Sequence, residues 1–286
     1  MTIAYVTAAS AIGEQETDWP LLEQASATRG LAIERVVWDD PSVDWARFEH
    51  VVLRTCWDYV ARLPEFLAWA DTVPNLRNSP ATIRWNTDKT YLRALDAADV
   101  PIIETRWDVR SGDELPAGDE WVVKPTVSAG SRDTARWTDP ADAYRHSESL
   151  LDAGRPTMTQ PYVASVDDEG ETAMLFFGGE FSHSVRKGAL LVKGEGVNQE
   201  RDGRGENAVR TPTARQQEVA TQALEVARRL TGDDLLYARV DLVSGPDGDP
   251  LVIELELTEP FFFLDMVPEA ASTFVRVLDG LGRPRD

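Results

Sequence analysis

Apolar residues recur along the chain as short unbroken runs alternating with stretches at helical spacing. The first run, 3–8 (IAYVTA), stops at small residues and reads as a buried strand. Asp18 precedes a stretch with Leu21, Leu22 and Ala25 at helical spacing, and Gly30 closes it. Further strands at 33–38 and 51–55 and a helix over 64–72 complete a β-α-β-α series, which predicts a small parallel α/β unit. No GxGxxG occurs in it, so a dinucleotide-binding unit is excluded.

Residues 75–86 change character, with Asn78, Ser79 and Pro80 marking a turn. Asn86 or Thr87 caps a predicted helix to about residue 98. Its apolar stripe is Tyr91, Leu92, Leu95 and Ala98, and Lys89 sits in its first turn, where a cation opposes the helix dipole. Strands are predicted at 102–107 and 120–124, a helix at 140–151, and strands at 157–163, 171–177 and 181–187. The polar segment 188–211 carries Gly194, Gly196, Gly203 and Gly205 and is too long for a simple hairpin connection, so it reads as mobile or functional. Thr213 caps a helix closed by Gly232, SGPDGDP joins strands at 235–243 and 251–257, and a helix at 271–281 ends the pattern. Three units are expected: 1–85, 86–163 and 164–286.

Composition narrows the functions. The 286 residues hold 29 basic and 49 acidic side chains, a formal charge of −20, which disfavours nucleic acid and anionic membranes as partners. A lone Cys56 and the scattered His50, His146 and His183 leave neither an internal disulfide nor zinc-ligand spacing. No apolar run is long enough for a membrane span, and MTIAYVTAAS lacks a basic segment followed by an apolar one, so a cytoplasmic location is expected. The chain contains only four lysines, Lys89, Lys124, Lys187 and Lys193, which makes their positions informative.

The strongest local signal is Arg239-Val240-Asp241 with Glu254-Leu255-Glu256-Leu257. A two-residue turn centred on Asp247-Gly248 places Asp241 opposite Glu254 and Arg239 opposite Glu256. All four then share one face, while Val240, Leu242, Ile253 and Leu255 share the other. Clustered carboxylates repel, so this face either calls for a cation such as Mg²⁺, a hard ion that takes oxygen ligands, or is a solvated acidic surface. Lys124-Pro125 ends an apolar strand, and the small residues Ser128, Ala129, Gly130 and Ser131 follow. Their backbone N–H groups can approach phosphate oxygens, although no Walker loop occurs.

Taken in order, NTDKTYL (86–92), VVKPTVSAGSRDT (122–134), Gln160 with Pro161, Tyr162 and Val163, GE at 170–171, GGEFSHSVRKG (178–188), YARVDLV (237–243) and ELELTEP (254–260) resemble the ATP-grasp superfamily. Within its glutathione-synthetase-like branch they are similar to the group containing the cyclo-ligase of D-cycloserine formation. The resemblance covers nearly the whole chain. It implies an α/β fold in which a small N-terminal domain precedes two α+β subdomains that clasp ATP.

The resemblance also implies roles for individual residues. Lys89 and Lys124 bind ATP phosphates under a loop of Ser128, Ala129, Gly130 and Ser131, and Gln160 to Val163 read the adenine edge. Asp241, Glu254 and Glu256 hold Mg²⁺ or Mn²⁺, with Glu256 standing where many relatives have Asn. Arg239, with Lys187 and Arg186, steadies an acyl phosphate. The activity implied is an ADP-forming carboxylate–amine ligase acting on an amino-acid-like small molecule, either within one molecule or as a dipeptide or γ-glutamyl-type ligase. A phosphotransferase and a non-catalytic nucleotide-binding module are the alternatives, and a homodimer is left open.

Substrate contacts are expected from Arg54, Trp57, Asp58 and Tyr59, which stand where a parallel strand ends, and from His183 and Glu259. Arg54 either clamps a substrate carboxylate or pairs with Asp58. Lys193, Arg201, Arg204 and Arg210 in the 188–211 segment have no assigned role.

Overall fold

The computed structural model describes residues 1–13, 16–198 and 206–281. In the first unit β1 (Thr2–Thr7), α1 (Asp18–Thr28), β2 (Ala32–Val37), β3 (His50–Thr55), α2 (Leu63–Thr72) and β4 (Leu76–Arg77) follow in turn. The strands are all parallel, in the order β2-β1-β3-β4. Every residue of β3 is buried, as expected of a parallel strand covered on both faces.

The turn expected at 78–80 is the entry to an unforeseen helix, α3 (Pro80–Asn86), with Pro80 in its first turn and the Ser79 hydroxyl accepting from Thr82 N. Asn86 caps nothing. It is buried, its Nδ2 donating to Leu255 O at 2.7 Å and its Oδ1 accepting from Leu257 N at 2.7 Å. Lys89 lies in a single 3-10 turn capped by Asp88, before the short α4 (Leu92–Asp96), so the helix predicted here is much shorter than expected.

The second sheet is antiparallel. Its elements are β5 (Arg106–Trp107), β6 (Trp121–Pro125), β7 (Ala135–Trp137), α5 (Pro140–Asp152) and β8 (Thr157–Pro161), with strand order β5-β8-β6-β7. Most of the strand predicted at 102–107 is absent from this sheet because its beginning pairs elsewhere: Val252 N donates to Pro101 O at 2.8 Å, and Ile102 bridges to Val252.

The third unit contains α6 (Ser165–Asp168), β9 (Glu171–Phe177), β10 (Glu180–Lys187), β11 (Ala208–Val209), α7 (Ala214–Thr231), β12 (Tyr237–Ser244), β13 (Pro250–Glu256) and α8 (Glu269–Gly280). Its strands are antiparallel, in the order β11-β10-β9-β12-β13. Thr213 and Gln216 form a capping box on α7, and Gly232 ends that helix in the left-handed region, both where the sequence puts them.

One face of this sheet, with Met174, Phe176, Val240 and Leu242, packs on the apolar stripe of α7. The other face is divided along its length. At one end Leu175, Phe177 and Tyr237 join Phe274 of α8 and Ile3 and Tyr5 of β1 in a second core. At the other end stand Glu171, Lys187, Arg239 and Asp241. Among the described residues no helix is long and apolar enough to cross a membrane.

Asn78 joins the first unit to this sheet. Its Nδ2 donates to Tyr237 O and Leu257 O, its Oδ1 accepts from Leu236 N at 2.8 Å, and its backbone has φ +54°. Asn tolerates that conformation better than most residues. Asn78→Ala leaves three buried backbone groups unpaired and adds strain, so a loss of about 3 kcal/mol is expected in urea denaturation; a loss below about 1 kcal/mol contradicts this account.

Candidate functional site

The β12–β13 hairpin has the expected pairs Asp241 with Glu254 and Arg239 with Glu256, but it reaches them by another route. The turn is longer by one residue: Gly245 N donates to Asp249 O, Gly248 N donates to Gly245 O, and Gly248 takes φ +81°. This is a three-residue loop ending in a left-handed glycine. Such a loop shifts the register by one, so Leu242 pairs with Val252. A bulge then restores the register before Asp241, and Ile253 is the extra residue. Ile253 therefore lies with Glu254 on the cavity side and Val252 takes the core position, correcting the expected placement of Ile253.

This face forms one wall of a cavity of about 950 Å³. Asp241 is fully buried. Arg239 grips it with two parallel bonds, Nε to Oδ1 at 2.8 Å and Nη2 to Oδ2 at 2.9 Å, and Lys187 Nζ donates to Oδ2 at 2.7 Å. Burial alone raises the pKa of such a carboxyl, but Arg239 and Lys187 outweigh it and hold Asp241 at about 2. Lys187 also bonds Glu171 at 2.8 Å, and Arg239 also bonds Glu256. Lys89 Nζ meets Glu254 at 3.1 Å and donates to Ser128 O at 2.8 Å.

The repulsion expected among these carboxylates is thus answered by the chain's own cations. Glu254 sits below its ordinary value despite burial, because Lys89 and Lys124 face it. Glu256 shows the limit of that supply: burial pushes it up to about 8, and Arg239 only partly offsets this. The Lys124 side chain makes no hydrogen bond or ion pair among the described residues, and burial lowers its pKa to about 8.

The opposite wall carries Ser128, Ala129, Gly130 and Ser131, with Gly130 and Ser131 both at positive φ. Gln160, Pro161, Tyr162 and Val163 line the cavity where β8 leaves its sheet, and Ile103, Val122, Ile253 and Leu255 give that end apolar sides. Gln160 Nε2 donates to Thr105 Oγ1 at 2.9 Å, fixing the amide. Arg136 lies 3.4 Å over the Tyr162 ring and also bonds Asp167 and Glu120. Leu190 and Leu191 reach the cavity, and Lys193 bonds Glu120. Arg201 and Arg204 lie outside the described residues.

At the far end Trp57, Asp58, Tyr59 and Glu259 line the cavity beside Phe261 and Phe263. Asp58 accepts from Trp38 Nε1 at 3.0 Å. Tyr59 lies beside Glu259, whose carboxyl burial raises to about 7.

Three residues expected at the site are elsewhere. Arg54 is 1% exposed, stacks 3.3 Å over Phe262, and donates to Asp18 Oδ2 and Pro260 O, so it neither reaches a substrate nor pairs with Asp58. His183 is held by Phe262 O at 2.8 Å inside the second core. Arg186, next to Lys187 on β10, points to the opposite face by strand alternation and bonds the carbonyls of Asp168, Glu169 and Glu206. Arg210 likewise holds Thr172 and the Glu169 carbonyl. Glu171, Phe261 and Phe263 were not singled out as site residues. Of these only Glu171 had a signal, the glutamate of the GE pair opening a strand.

The family model for the N-terminal domain of D-cycloserine synthetase DcsG matches residues 3–79. The cycloserine biosynthesis protein DcsG of Streptomyces lavendulae is 38% identical over 290 residues, covering 91% of this chain and 92% of that one. A crystal structure of D-cycloserine synthetase DcsG superposes with a TM-score of 0.87 at 36% identity, covering 97% of this chain and 98% of that chain. D-alanine–D-alanine ligase from Bacillus anthracis shares the fold alone, with a TM-score of 0.64 at 15% identity over 98% and 95% of the two chains. The expected fold and kinship hold: the chain belongs to the DcsG family of ATP-grasp proteins and is an ATP-dependent ligase.

Proposed function

We propose that this ligase is ADP-forming, works through an acyl phosphate, and closes a ring within one amino-acid-like molecule. The observation that carries this reading is the convergence of Lys89, Lys124, Lys187 and Arg239 with three carboxylates on one wall of a single cavity, with an apolar slot at one end and a small aromatic chamber at the other. In this reading residues 1–85 supply part of the substrate chamber, and 86–163 and 164–286 clasp the nucleotide. Adenine occupies the slot beside Gln160 to Val163, and the phosphates run under residues 128–131 toward Lys124 and Lys89.

Asp241, Glu254 and Glu256 offer oxygen atoms within 4.8 Å of one another, a donor set suited to Mg²⁺ or Mn²⁺. Both Asp241 oxygens are already held by Arg239 and Lys187, whereas Glu254 and Glu256 are 27% and 26% exposed toward the cavity. The residues present therefore fit the ion, with the two glutamates as its most available ligands. When bound, the metal supplies charge neutralisation at the phosphate oxygens.

A substrate carboxylate oxygen attacks the γ-phosphorus and ADP leaves. The nitrogen nucleophile then attacks the acyl carbon, losing a proton, and inorganic phosphate leaves. Lys187 and Arg239, fixed in advance by Asp241, face the charge that develops on these oxygens.

The relatives' names indicate the ring. Cycloserine joins the carboxyl carbon of serine to a nitrogen on its side-chain oxygen, so the proposed substrate class is an amino acid with a nitrogen on that oxygen. Incubation with Mg·ATP and O-amino-D-serine is expected to yield ADP and a product lighter by one water, read by mass spectrometry. ADP without ring product points instead to a phosphotransferase.

Two further outcomes follow from the charges. Glu254→Gln keeps the size but weakens a hard-cation ligand, so kcat at saturating Mg²⁺ should fall at least about a hundredfold, some 2.7 kcal/mol; wild-type turnover excludes this metal assignment. Lys124 titrates at about 8, and only its protonated form attracts phosphate. Affinity for metal-free ADP should therefore fall as pH rises from about 7 to 9, and Lys124→Met should be weaker at pH 7 with most of that slope gone. Calorimetric titration across this range checks both.

A further inference from the structure

We infer that Glu259 is the residue that holds the substrate's α-ammonium group, and that it thereby selects which nitrogen of the substrate can react. The inference rests on the proposed reading of the cavity and adds the recognition of the group that must not take part. Glu259 lines the same cavity as Glu254 and Glu256, within electrostatic reach of Glu254 and Arg239. Trp57, Tyr59, Phe261 and Phe263 line the same cavity, and Tyr59 lies beside Glu259.

The other carboxylates of the cavity have cationic partners: Asp241 has Arg239 and Lys187, Glu254 has Lys89, Glu256 has Arg239, Glu171 has Lys187, and Asp58 has Arg62 at 3.6 Å. Glu259 alone is in no ion pair among the described residues; Lys89 acts on it as the strongest nearby cation but does not pair with it, and Tyr59 lies beside it. Burial prevails over the pull of Lys89 at this carboxyl, so an arriving cation that pairs with it is favoured. The aromatic rings that line this cavity favour an ammonium over a neutral group.

The chemical consequence is selectivity. An α-amine released from its proton is itself a nucleophile able to attack an acyl phosphate of a second molecule. Paired with Glu259 it stays protonated and has no lone pair to offer. A nitrogen bonded to oxygen is far less basic, stays unprotonated near neutral pH and remains free to close the ring. Glu259 is in this sense a positioning and specificity residue, not a group that handles the reacting proton.

The test is a binding comparison that does not depend on turnover. D-serine and 3-hydroxypropanoate, which lacks only the α-amino group, are titrated calorimetrically into the protein holding Mg²⁺ and a non-hydrolysable ATP analogue. Wild type is expected to bind D-serine at least about tenfold more tightly than 3-hydroxypropanoate. Glu259→Gln should weaken D-serine at least about tenfold while leaving 3-hydroxypropanoate within about twofold, which also shows that the variant is folded and its nucleotide site intact. Equal weakening of both ligands, or unchanged D-serine affinity, overturns the inference. Since no ring closure is measured, D-serine discrimination by Glu259 can hold even where the O-amino-D-serine assay fails, and the two results are read separately.

Discussion

Asp241 has no exposed surface, yet it is ionised, and the site is built around the means of keeping it so. A carboxylate removed from water carries a desolvation penalty of several kcal/mol, which only well-placed partners offset. Arg239, two residues earlier on the same strand, supplies a planar fork, and Lys187 arrives from β10, two strands away in the sheet. For those three groups to meet, β10, β9 and β12 must hold their register. Once they do, Arg239 and Lys187 have their remaining donors fixed toward Glu256 and Glu171 and cannot swing into solvent. Donors fixed before substrate arrives need little reorganisation during reaction, which is what electrostatic preorganisation requires.

The same sheet face is apolar at its other end, and that division couples the site to the fold. Tyr237 and Phe177 pack on Phe274 and Phe262, and Phe262 in turn carries Arg54 on its ring and accepts His183 through its carbonyl. Asp18 accepts from Phe262 N and Leu264 N, so the segment bearing Phe261, Phe263 and Glu259 is tied to the first unit by a buried carboxylate. Arg54 and His183 therefore support the cavity segment bearing Phe261, Phe263 and Glu259 without lining the cavity themselves.

Much of this was legible in the sequence, for identifiable reasons. The parallel unit was readable because buried strands form continuous apolar runs, and α7 because its cap, stripe and closing glycine agree. The pairing of Asp241 with Glu254 came out as expected only because two one-residue departures compensate, a longer turn and a bulge at Ile253. Alternation cannot reveal such a pair of slips, and the face assigned to Ile253 was wrong for that reason. Helix α3 was missed because Asn78, Ser79 and Pro80 give the same signal as a loop when they serve as a helix entry. Arg54 looked like a ligand clamp because it ends a parallel strand, but its partners Asp18 and Pro260 are far away in the chain, and no local pattern encodes them. Lys187 and Arg186 were indistinguishable by motif, and only the pleat separates them.

The charge inventory of the cavity bears on why Glu256 stays acidic here where many ATP-grasp proteins carry an uncharged amide. Lys89, Lys124, Lys187 and Arg239 bring four positive side chains, and Asp241 and Glu254 remain ionised. Glu256 and Glu259 are both pushed upward by burial, to about 8 and about 7, so neither carries a full negative charge near neutral pH. On the proposed reading, a bound Mg²⁺ beside Glu256 would lower its pKa and recruit it as an anionic ligand only while the ion is present. An amide in that position cannot respond in this way, and the glutamate gives the chain a carboxyl whose charge follows the occupancy of the site.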